Sequence, residues 1–128
     1  MPHLALVAIL VDDYDKAIEY YTQKLDFILK EDTQINEQKR WVVVQPPGAS
    51  ECGLLLAKAA NGHQIETIGN QSGGRVFLFL HTEDFERDYT KFLDRGVHFI
   101  QTPHKEPYGT VAVFKDLYGN LWDLIQPI

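Results

Sequence analysis

Residues 107–126 read PYGTVAVFKDLYGNLWDLIQ. Two apolar runs, TVAVF at 110–114 and LWDLIQ at 121–126, flank the polar KDLYGN. Short apolar runs bounded by turn residues read as β-strands, and Gly119 and Asn120 tolerate the positive φ of a tight hairpin turn. The stretch is therefore expected to be an antiparallel hairpin. Its anomaly is Asp123, a carboxylate inside the second run. Side chains alternate along a strand, so Leu121, Asp123 and Ile125 share one face, and Trp122 and Leu124 the other. An acid there either keeps an exposed sheet face soluble or marks a site.

Upstream of the hairpin, RVFLFLHT (75–82) reads as a strand and EDFERDYTKFLDRG (83–96) as a helix. Phe85, Tyr89, Phe92 and Leu93 lie on one helical face, and Gly96 is the expected stop. VHFIQTP (97–103) is a further strand. The first half of the chain has the same order. HLALVAILV (3–11) has the length and composition of a buried strand. Asp12 or Asp13 is placed to cap a helix carrying Tyr14, Ile18, Tyr21 and Leu25 on one face. FILKED, RWVVVQ and GLLLA then form three strands separated by polar or Pro-Gly turns.

Aligned, VDDYDKAIEYYTQKL answers TEDFERDYTKFLDRG: Asp13-Tyr14 falls on Asp84-Phe85 and Tyr21 on Phe92. So long a period implies a duplicated module and not a solenoid. Module one spans 3–57, a Gly-, Asn- and Gln-rich linker 58–74, and module two 75–127. Each module alone offers a small core, so two sheets should associate.

The chain has 128 residues, 45% of them apolar, which fits one domain with a real core. A net charge of −6 argues against a nucleic-acid partner and favours a neutral or cationic ligand. Cys52 is the single cysteine, so no disulfide framework or cysteine-based zinc site is expected. No apolar run approaches the roughly 20 residues that span a bilayer. The apolar N-terminus lacks a basic leader and cleavage site, so a cytoplasmic setting is expected.

VDDYDKAIEYYTQKLDF (11–27) and EPYGTVAVFKDLYGNLWDLIQP (106–127) together resemble the vicinal oxygen chelate superfamily, the group of glyoxalases, bleomycin resistance proteins and extradiol dioxygenases. The resemblance covers essentially the whole chain. It implies an α+β fold of two βαβββ modules whose curled mixed sheets form a cup, often completed in a homodimer. Where the family usually has Gly, in KLGF, this chain has Asp26.

Metal-dependent members of that family hold a divalent ion with His and Glu side chains lining the cup. The corresponding positions here are Val7, Leu55, Arg75 and Asp123. Two are apolar, and a guanidinium has no lone pair to offer. The resemblance thus implies a cup without the usual metal and without a cofactor. A divalent ion on a rebuilt set that draws on His3, His81 or Asp123 is the lesser alternative. Arg75 is expected to meet Asp123 across the cup or to bind a polar ligand with it. Trp41, Phe77, Phe79 and Tyr108 would supply aromatic walls, with Val7 and Leu55, and Trp122 would belong to the helix-facing core. No catalytic residue is identified. The expected function is binding of a small molecule, as when an acidic dimer of the bleomycin-resistance type sequesters a cationic drug. The alternative is an enzyme, a lactoylglutathione-lyase-like lyase or a dioxygenase, which needs an ion for its chemistry.

Overall fold

In the computed structural model, which describes residues 1–128, the chain forms two compact units, Met1–Ile68 and Gly69–Ile128. Each builds one open mixed sheet and packs helix on it.

In the first unit, β1 (Leu6–Val11) leads to α1 (Tyr14–Glu19), which continues as a π-helical turn (Tyr20–Lys24). β2 (Ile28–Gln34), β3 (Arg40–Gln45) and β4 (Gly53–Lys58) follow, in sheet order β1-β4-β3-β2. β1 and β4 are parallel and the other neighbours antiparallel. Asp13, not Asp12, caps α1: its carboxylate accepts from the Lys16 amide at 3.0 Å. Tyr14 and Ala17 of that first turn are buried, while Asp15 and Lys16 face outward. Ile9, Val11, Val42, Val44 and Leu56 are fully buried with Ala17 and Tyr21. β2 is exposed along its whole length, as an edge strand with a bulge between Leu29 and Glu31.

The stretch expected to be a loop contains a short helix, α2 (Gly62–Thr67), capped by the Asn61 side chain on the Gln64 amide. It carries no apolar stripe, and none of its residues is buried, so periodicity could not reveal it.

The second unit runs β5 (Val76–His81), α3 (Phe85–Asp94), β6 (His98–Phe99), β7 (His104–Glu106), β8 (Gly109–Lys115) and β9 (Leu121–Pro127). Its sheet order is β5-β9-β8-β6, with β7 also on β8. β5 and β9 are parallel, which repeats the β1/β4 arrangement. α3 ends as expected at Gly96, φ +84°, where Val97 N–H reaches back to Phe92 O. The single strand expected over 97–103 is interrupted. The amides of Ile100 and Gln101 both donate to Val113 O, Pro103 has no N–H to give, and pairing resumes only at His104.

The 107–126 hairpin forms in register, with Phe114 opposite Trp122 and Val113 opposite Asp123. Only Gly119 takes positive φ (+104°); Asn120 does not. The turn is held from inside by buried Asp116. One carboxylate oxygen accepts from the Tyr118, Gly119 and Asn120 amides, the other from the Asn120 amide group and the Trp122 indole. Trp122 stacks on Phe114 at 5.7 Å, and Phe92 of α3 meets Phe114 edge-on, so Trp122 faces the helix as expected. No helix is long and apolar enough to cross a membrane.

Candidate functional site

With Trp122 and Leu124 committed to the helix side, Asp123 must lie on the opposite face of the second sheet, where Val111, Val113 and Ile125 are also buried. The register assigns its neighbours. Phe79 and Val113 flank it on β5 and β8; His81, Ile125, Val111 and His104 form the next row. Phe79 is 60% exposed, whereas Asp123 is 8% exposed. One Asp123 carboxylate oxygen is buried without any hydrogen-bond partner. Burial pushes the carboxyl up from the usual aspartate range, and the nearby His104 pulls it part of the way back. His104 is itself held, with Nδ1 at 3.2 Å from Thr102 O and Nε2 at 3.2 Å from Glu106. Neither oxygen can donate, so both bonds form together only when the imidazole carries both protons.

Arg75 does not meet Asp123. It lies one residue before β5, is exposed, and forms no ion pair with the acid; its carbonyl accepts from the Ser72 hydroxyl. A bulge between Val76 and Leu78 shifts the start of β5, which breaks the alternation that put Arg75, Phe77 and Phe79 on one face. Phe77 falls inside that bulge, while Phe79 keeps its place beside Asp123. Tyr108 is 55% exposed between β7 and β8.

In the first unit, Val7 and Leu55 point to opposite faces. Val7 pairs with Leu54, and Leu55 pairs with Ala8, so Leu6, Ala8 and Leu55 share a face and Val7 lies on the other. The mapping of Val7 onto the open face was one residue out of step. Trp41 and Leu55 do come together, in a cleft of about 570 Å³ with Tyr14 and Arg40. The Arg40 guanidinium is clamped there by Asp32 at 2.7 Å and Asp15 at 2.9 Å, and it lies over the Tyr14 ring. Neither Tyr14 nor Arg40 is legible as a site residue from periodicity, because α1 marks Tyr14 as core and the ion pairs of Arg40 join distant segments. The three-residue strand HKE is too short to show alternation, so periodicity does not place His104 beside Asp123.

Of the four residues that the resemblance assigns to ligand positions, Val7 turns away from the face of Leu55, Arg75 stands outside β5, and Asp123 is a lone carboxylate, so this set does not fit a divalent cation. His81 lies one row from Asp123, but His3 precedes β1 and is exposed. No three His, Cys, Asp or Glu side chains in the chain converge as a metal site requires.

Residues 2–124 match the model of the Glyoxalase/Bleomycin resistance protein/Dioxygenase superfamily. An uncharacterised protein of Shewanella frigidimarina (strain NCIMB 400) is 57% identical over 94% of this chain and 90% of its own length. Among solved structures, UcmS2 superposes with a TM-score of 0.85 at 34% identity, covering 98% of both chains. TnmS3, an antibiotic binding protein from Streptomyces sp. CB03234, superposes with a TM-score of 0.82 at 30% identity, covering 100% of this chain and 98% of that one.

Proposed function

The chain belongs to the Glyoxalase/Bleomycin resistance protein/Dioxygenase superfamily, and we propose that within it this protein binds a small organic molecule without a divalent cation and without transforming it. The observation that carries this reading is the buried Asp123 oxygen without a partner. Leaving such an atom unpaired costs about 1–3 kcal/mol, a cost that a ligand supplying an N–H or a cationic nitrogen would remove. Phe79, exposed beside it, offers a surface for an apolar or aromatic portion of the same ligand. The net charge of −6 favours the approach of a cation. The antibiotic-binding role of TnmS3, a structure similar over the whole chain, points the same way. We further take the protein to work as a cytoplasmic homodimer, an expectation carried by the family and checked by light scattering.

Thermal shift of untagged protein tests the reading, with metal-free bleomycin as the first probe among aromatic amine antibiotics, in the presence of EDTA. Binding to the folded state raises Tm by mass action. The expected result is a ligand-dependent rise that EDTA leaves intact and that Asp123→Ala removes. Near-stoichiometric nickel, zinc, manganese or iron in the purified protein, or binding abolished by EDTA, would overturn it.

A further inference from the structure

The ladder between β3 and β4 closes only at Val43–Leu55 and Val44–Leu54. Continued in the same antiparallel sense, it would pair Trp41 with Ala57 and Arg40 with Lys58. These residues instead part company, and they line the cleft of about 570 Å³. The Arg40 amide, which would face β4, donates to the Tyr14 hydroxyl at 3.2 Å. The cleft is thus an unzipped end of a sheet, walled by the half-buried Trp41 and Leu55 and by the Tyr14 ring. Its volume lies within the roughly 300–1,000 Å³ usual for small-molecule sites.

Its charge runs against the rest of the molecule. The chain carries 18 acids and 12 bases, yet the lining holds Lys39, Arg40 and Lys58 and no acid. Arg40 is neutralised by Asp15 and Asp32, whereas Lys39 and Lys58 are exposed and have no ion-pair partner. A flat indole beside two free ammonium groups is complementary to a ring bearing a negative charge.

We propose that this cleft, built wholly from residues of the first unit, binds a small planar aromatic carboxylate, its ring against Trp41 and its anion between Lys39 and Lys58. The proposal goes beyond the reading above and does not depend on it. An aromatic anion is the opposite of what Asp123 would attract, so ligand charge tells the two proposals apart.

The test uses 2-naphthoate as the probe and the two indole N–H resonances of the full chain as reporters. Trp122 is 3% exposed and serves as the internal control. The expected result is a saturable shift of the Trp41 indole alone. Affinity should fall about three- to tenfold in the Lys39→Gln/Lys58→Gln double variant. It should fall similarly for the neutral 2-naphthamide. Both lysines are exposed, so the double variant keeps its fold. No saturation in the millimolar range, equal affinity for the amide, or indifference to the lysine changes would each overturn the proposal.

Discussion

Two aspartates seven positions apart, Asp116 and Asp123, are both buried, and their environments are opposite. Asp116 is saturated by five N–H groups from the turn it organises. Its replacement by Ala strands several buried donors, and a loss of at least about 3 kcal/mol is expected in guanidinium unfolding. Asp123 has an orphaned oxygen and a carboxyl whose folded pKa is raised by burial. The folded state then holds the proton more tightly than the unfolded chain. Stability falls as pH rises from the ordinary aspartate pKa through the raised one, and the full cost persists above it. Asp123→Asn should therefore unfold at higher urea than the parent at pH 7, by on the order of 1 kcal/mol, with the gap narrowing towards pH 4. The sequence singled out the second acid, because it interrupts an apolar run. Asp116 drew no notice, because an acid at a hairpin turn is ordinary there and its five partners become visible only once the indole folds back.

At the scale of elements, the duplicated modules differ in a way that composition hides. The first helix runs from the cap Asp13 to the left-handed Asp26 (φ +61°), and the second from Asp84 to Gly96 (φ +84°), so the first spans one residue more. The π-helical turn at Tyr20–Lys24 absorbs that residue, which is how such turns commonly arise. The return bond widens with it: Phe27 N–H reaches Tyr21 O, whereas Val97 N–H reaches Phe92 O. Asp26 thus stands where the family's Gly serves a conformation that L-residues adopt at a cost. Asp26→Gly should hold or raise Tm, with a gain of up to about 1 kcal/mol. Gly69→Ala should do the reverse, losing about 3 kcal/mol or more in thermal unfolding. Its φ is +79°, and a Cβ there would come within 2.0 Å of Tyr118 O. The succession of strand, helix and strands in each half is legible because the apolar periods are strong. The β5 bulge, the split of β6 from β7 and the helix α2 are not, since each is decided by hydrogen bonds that leave no periodic trace.

For the molecule as a whole, protection should follow position in the two sheets. β4 and β9 each lie between a parallel and an antiparallel neighbour, so their amides should exchange slowest with deuterium. β2, exposed throughout, and the two-residue β6 should exchange orders of magnitude faster. Uniform protection across β2 and β4 would contradict the described topology. The family resemblance anticipated this doubled architecture but not which open-face residues meet, because a one-residue error on Val7 and a bulge beside Arg75 each reverse a side chain. The parallel pairing has a consequence for synthesis. β5 has no neighbour in its sheet until β9 has been made, so during translation the second unit must wait with an apolar strand uncovered, while the first can close once β4 emerges. A ribosome stalled just before β9 would therefore hold one finished unit and one sticky, chaperone-dependent half.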